Sequence, residues 1–200
     1  MENEHDTPMN EHYTCMKECA AEAARVARGV DPARLPEPSR CADWDVRTLV
    51  NHWVLYTSYG LEHRARRTTL PDELTARDFT AEADWAERYA GQLERAVAVW
   101  SDPAVWEGDI DLGYAKVPAA DVAALVTKEM ALHGWDVARS TGQDFRLTDA
   151  SALLILATVD ANAELYRQYD GFAAPVPLPD EESAPPFARA LSHSGRDPHA

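Results

Sequence analysis

Glu129 and His133 stand four residues apart in the stretch "KEMALHGWDVARSTGQ", residues 128–143. In a helix such a pair projects from one face, one turn above the other. Val122, Leu125, Val126, Leu132 and Val137 mark that face as apolar. A carboxylate and an imidazole placed there need an ion pair, hydrogen bonds or a metal, because an unpaired charge removed from water is costly. A second histidine occupies a similar position. In "DVRTLVNHWVLYTSYGLEHRARR", Leu49, His52, Trp53 and Tyr56 fall at helical offsets and make one stripe. Two histidines and a carboxylate form a common open site for a divalent metal, with positions left for water or substrate. The Glu-x-x-x-His spacing alone is a weak signal. It recurs on solvated helices, where the pair contributes only about 0.2–0.5 kcal/mol.

Other residues compete for the chemistry. His12, Cys15 and Cys19 in "HYTCMKEC" share a helix face and could form a soft-metal or redox site. The alternative is a pair of small thiols packed near a chain terminus. Asp136, three residues after His133, could orient a ligand imidazole or pair with Arg139. Gly134 costs about 1 kcal/mol in a helix relative to alanine, which implies close approach of a ligand or another element. Cys41 reads as a packing residue at the entry to the second helix. Trp53, Trp100, Trp106 and Trp135 are core or pocket-rim residues. The "RARR" run at residues 64–67 is a small basic patch at a helix end.

Five helices must position these groups. The first runs from about Glu11 to Gly29, and the second carries His52. The third follows a Thr80 cap and holds Ala83, Ala86, Ala90, Leu93, Val97 and Trp100 in period. The fourth spans Ala119 to Thr141 with Gly142 as its stop. A fifth opens at Thr148 or Asp149 and ends near Tyr169. Beyond it, "FAAPVPLPDEESAPPFARALSHSGRDPHA" is rich in proline and acid and reads as an irregular tail. The expected domains are a helical bundle over residues 1–170 and a tail over 171–200, with no internal repeat. The fold class is all-α: a four-helix bundle with an additional helix.

The chain has 34 acidic against 19 basic residues and a formal charge of −15, which disfavours nucleic acid and anionic membranes as partners. No apolar run reaches the length of a membrane span, and the start "MENEHDTPMNEH" lacks the apolar region of a signal peptide. Three cysteines, an odd count, do not make a disulfide framework. A cytoplasmic protein is expected, and its partner is a small molecule. A homodimer is compatible with these features.

Two blocks, "C-x-x-WDVR-x-LV-x-H" from Cys41 and "E-x-x-x-HGWD-x-AR-x-TGQ" from Glu129, together with the tail, resemble the actinobacterial metal-binding proteins of the DinB-like and mycothiol-dependent maleylpyruvate isomerase superfamily. The resemblance covers essentially the whole chain. It implies that His52, Glu129 and His133 are metal ligands at one end of a four-helix core. Zinc is the implied ion, with nickel, iron or copper as alternatives, and mycothiol is the implied co-substrate. Members that isomerise maleylpyruvate carry a further C-terminal domain, whereas this sequence has a short tail at that position. The resemblance therefore implies thiol addition, thiol transfer or thiol-assisted isomerisation on a small electrophile, without fixing the substrate. The alternatives are a catalytically silent metal- or ligand-binding module, and an enzyme using metal-activated water or Lewis-acid activation without a thiol.

Overall fold

The computed structural model describes residues 7–200, with side chains from residue 10 onward. Met1–Asp6, the beginning of the stretch read above for a signal peptide, lies outside the described residues. Two compact units divide the chain, Met1–Arg146 and Leu147–Ala200. The sequence reading drew its boundary at 170/171; the observed division falls earlier, before the fifth long helix. The expected all-α class holds: among the described residues the regular elements are helices apart from a two-stranded hairpin.

In the first unit, α1 (Thr7–Arg28) buries Cys15, Met16, Cys19, Ala23 and Val26 along one stripe. A Pro-containing connection follows. Asp45 then starts α2 (Val46–Val54), its carboxylate accepting the Thr48 N–H at 2.7 Å, so one otherwise unmet amide of the first turn is satisfied. The helix continues through a π turn at Leu55–Tyr59 into α3 (Gly60–Ala65). Thr57 and Ser58 in that turn donate back to the carbonyls of Trp53 and Val54, both at 2.6 Å. After the short α4 (Asp72–Thr75) comes α5 (Trp85–Val99). Thr80 is not its cap. It sits in a one-turn segment, Phe79–Ala81, where its hydroxyl donates to Asp78 at 2.6 Å and accepts from Arg47 at 2.8 Å, and the helix proper begins at Trp85.

The strands β1 (Asp109–Asp111) and β2 (Lys116–Pro118) form an antiparallel hairpin, with Ile110 opposite Val117. Three residues per strand are too few to show in sequence periodicity. β2 leads directly into α6 (Ala119–Ser140), which buries residues on most of its circumference. α1 packs on α5 and α6, α2 packs on α6, and α3 packs on α5 and α6. Two indoles tie the layers together through buried N–H groups. Trp53 donates to the Met130 carbonyl and Trp100 to that of Leu61, each at 3.1 Å.

In the second unit, Thr148 caps α7 (Asp149–Gln168) by accepting the Ser151 N–H at 3.4 Å, as the sequence indicated. The tail is irregular only in part. Pro186–His193 forms α8, which packs on α7 and buries Ala190, Leu191 and Ser192. Proline at the start of α8 marks a helix N-terminus, where the missing N–H costs nothing. The same proline raised the local proline content and pointed the composition towards disorder.

Candidate functional site

α2 and α6 bring His52, Glu129 and His133 together. One donor atom from each lies within 4.8 Å of the others. Glu129 and His133 are one turn apart on α6, and Glu129 Oε2 lies 3.2 Å from His133 Nε2. His52 reaches in from α2 with its ring 4.9 Å from that of His133, edge-on. Trp44 and Tyr56 flank His52, at 4.9 and 4.7 Å between ring centroids. Tyr56 is exposed and Trp44 half-buried, so this aromatic rim reaches solvent beside His52.

Sequence reasoning missed one group, misread another and left a third between two readings. Lys128 is completely buried, and its ammonium contacts Glu129 Oε1 at 2.5 Å. Its position on the same helical segment could have flagged it, but lysine on a helix normally reads as solvated surface. Asp136, also buried, accepts from His133 Nδ1 through Oδ2 at 3.0 Å and thereby fixes the ring's orientation. Cys41 is no mere packing residue. Its Sγ lies 3.4 Å from Asp136 Oδ2 and 3.9 Å from His133 Nδ1.

These contacts set the charges. Burial, aided by the nearby positive charge of His133 and opposed by Glu129, pushes His52 down to about 4. His52 is therefore a neutral imidazole near pH 7, the form that ligates metals. Burial alone would raise Glu129, but the Lys128 ammonium and the bond with His133 hold it well below the usual carboxylate range. For His133, burial opposes protonation, yet hydrogen bonds with Asp136, Cys41 and Glu129 prevail and hold its value well above normal. Both nitrogens of this ring face carboxylate oxygen, so the arrangement calls for a cation, either a proton or a metal ion.

The remaining candidates lie outside these two groups of donors. His12, Cys15 and Cys19 are in neither of the two three-donor groups found among the described residues. Cys15 and Cys19 are buried in the α1 stripe. Gly134 is explained by an aromatic neighbour: a Cβ there would stand 2.3 Å from Cε2 of Phe145. In the basic run, Arg66 pairs with Glu62 at 2.9 Å, and Arg67 donates to the carbonyls of Ala65, Val105 and Glu107.

Residues 16–138 match the family model of the mycothiol maleylpyruvate isomerase N-terminal domain. The chain belongs to this family. Two uncharacterized proteins of Mycobacterium tuberculosis strains are each 29% identical to it over 179 residues, covering 86% of this chain and 91% of theirs. Among solved structures, the mycothiol-dependent maleylpyruvate isomerase superposes with a TM-score of 0.60 at 19% identity, covering 92% of this chain and 81% of that one. A histidine-to-alanine mutant of such an isomerase gives 0.55 at 18%. At these identities the likeness is one of fold. No helix among the described residues is long and apolar enough to cross a membrane.

The donor set fits a divalent ion on chemical grounds. Neutral His52, ionised Glu129 and the Nε2 edge of His133 converge from two rigid helices, Asp136 orients one imidazole, and Lys128 anchors the carboxylate. Three protein donors rather than four is the arrangement of sites that leave a position for a reactant.

Proposed function

We propose that the protein is a metal-dependent enzyme that adds, transfers or isomerises through a small thiol of the mycothiol type, acting on a small-molecule electrophile in the cytoplasm. The observation that carries this reading is the convergence of His52, Glu129 and His133 beside an aromatic rim that reaches solvent, in a chain of this family. A divalent ion held by these residues would supply a positive charge that favours thiolate over thiol and so a nucleophile near neutral pH.

The protein's own groups prepare the place. Neutral His52 presents a lone pair without first losing a proton. Asp136 accepts from His133 Nδ1, which leaves Nε2 directed at Glu129 and His52. Lys128 balances one carboxylate oxygen of Glu129, so the carboxylate stays ionised although it is largely removed from water. Trp44 and Tyr56 offer flat aromatic faces beside His52, suited to an unsaturated electrophile or to the carbon skeleton of a sugar-linked thiol.

The test uses cobalt-substituted protein in a Cys41→Ser background, which removes the nearby protein thiol. Titration with mycothiol is expected to produce a thiolate-to-cobalt charge-transfer band. An unchanged spectrum at saturating thiol, with a response to another substrate class, would transfer the reading to metal-activated water or direct Lewis-acid activation.

A further inference from the structure

His133 presents a different three-donor group at each ring nitrogen. Nε2 faces Glu129 and His52; Nδ1 faces Cys41 and Asp136. We propose that Cys41, His133 and Asp136 form a second cation subsite, one that takes thiophilic ions and excludes an ion from the first.

The geometry is close to what an ion needs. Bonds of about 2.0–2.1 Å to nitrogen or oxygen and about 2.3 Å to sulfur, at tetrahedral angles, place neighbouring donors about 3.3–3.6 Å apart. The observed separations are 3.0 Å from His133 Nδ1 to Asp136 Oδ2, 3.4 Å from Cys41 Sγ to that oxygen, and 3.9 Å from Cys41 Sγ to His133 Nδ1. Shifts of a few tenths of an ångström bring all three onto one centre. Two donors come from α6, a rigid support. The third comes from the connection before α2, where Ser39 Oγ accepts the Cys41 N–H and donates to the Cys41 carbonyl, both at 3.1 Å. Asp136 is buried, while Cys41 and His133 are partly exposed, so an ion has a path from solvent.

Donor chemistry sets the selectivity. A thiolate beside an imidazole favours soft cations, whereas the His52, Glu129 and His133 group has no sulfur and suits borderline ions. Exclusivity follows from the shared ring. While the imidazole is neutral, only one nitrogen can coordinate and the other carries hydrogen. An ion at Nε2 leaves Nδ1–H donating to Asp136; an ion at Nδ1 leaves Nε2–H donating to Glu129, 3.2 Å away. Occupying the second subsite releases the thiol proton of Cys41 to solvent, together with the Nδ1 proton of His133 where the ring starts doubly protonated, and leaves Nε2 carrying hydrogen, so that His133 no longer serves the first group.

The subsite goes beyond the function proposed above, and only its exclusivity rests on that reading. The probe is cadmium chloride, added to zinc-loaded protein and followed by thiolate-to-cadmium absorption, with a chromophoric chelator reporting released zinc. One equivalent of cadmium is expected to saturate the band and to release zinc one for one. Cys41→Ser is expected to abolish the band with the helical circular dichroism unchanged, and Asp136→Asn to weaken cadmium binding by about tenfold or more. Metal-free His52→Ala protein, whose first group is broken, is expected to keep the band, so the subsite is tested even if zinc is not the resident ion. A band that survives Cys41→Ser assigns cadmium to Cys15 and Cys19 and overturns the subsite. Loss of the band in His52→Ala overturns the separation of the two groups. Zinc that stays bound while the band develops overturns exclusivity.

Discussion

At the scale of single residues, the three proposed ligands differ in what holds them, and their variants should differ accordingly. His52→Ala, Glu129→Ala and His133→Ala are each expected to reduce bound zinc sharply, measured by elemental analysis of purified protein. Glu129→Ala should in addition lower stability in urea, because it leaves the fully buried Lys128 ammonium without this carboxylate. Asp136→Asn keeps the shape of the side chain but weakens its hold on His133, and zinc affinity should fall by about 10–100-fold. Gly134→Ala tests packing rather than chemistry. The added methyl would meet the Phe145 ring at 2.3 Å, and a loss of about 1–3 kcal/mol in chemical denaturation is expected, with metal content retained. These residues also show what a sequence discloses. His52, Glu129 and His133 announced themselves because polar groups in an apolar stripe demand partners. Lys128 did not, because nothing in local spacing distinguishes a buried lysine from a solvated one. Cys41 and Asp136 meet across 95 positions, a distance that periodicity cannot see.

At the scale of elements, the long helices were legible because each pairs an apolar period with a recognisable end. α6 was expected at Ala119–Thr141 and spans Ala119–Ser140; α7 begins after Thr148 as its cap suggests. The misses fall where a cap signal was spent elsewhere. Thr80 serves Asp78 and Arg47, a bond made across 33 positions, so its preference for helix starts told only part of the story. The π turn at Leu55–Tyr59 was not anticipated either, since it preserves helical composition. It lies one turn beyond His52, and with the Asp45 cap it brackets the only stretch of α2 that carries a donor of the site. Asp45→Ala is expected to cost about 0.5–2 kcal/mol in urea denaturation. Because fraying then begins about two turns before His52, zinc should also dissociate faster from this variant when a chelator is added.

At the scale of the whole molecule, the two units offer different handles. In the second, His193 at the end of α8 sits between Asp160 of α7 and Glu181, at 2.6 and 2.9 Å from its two nitrogens. Burial lowers its value, but the bonds to Asp160 and Glu181 outweigh this and raise it above normal. A raised folded value stabilises fully below the unfolded value of about 6.5 and is lost as pH climbs through the folded one. Amide exchange in α8 should therefore accelerate more, beyond the intrinsic base effect, as pH rises above about 6.5 than in a His193→Gln protein. The first unit carries a different consequence. Gln143 donates to the Val26 carbonyl at 3.1 Å, Arg25 reaches the Asp144 carbonyl, and Arg146 N–H meets Glu22 at 2.7 Å, joining positions 117 to 124 apart. A clasp of that sequence span cannot close early. Its loop-closure entropy must be offset by packing between α1 and α6 before the clasp forms. During synthesis α1 therefore waits for its full cover until α5 and α6 have left the ribosome, and the clasp at residues 143–146 then locks a packing that has already formed.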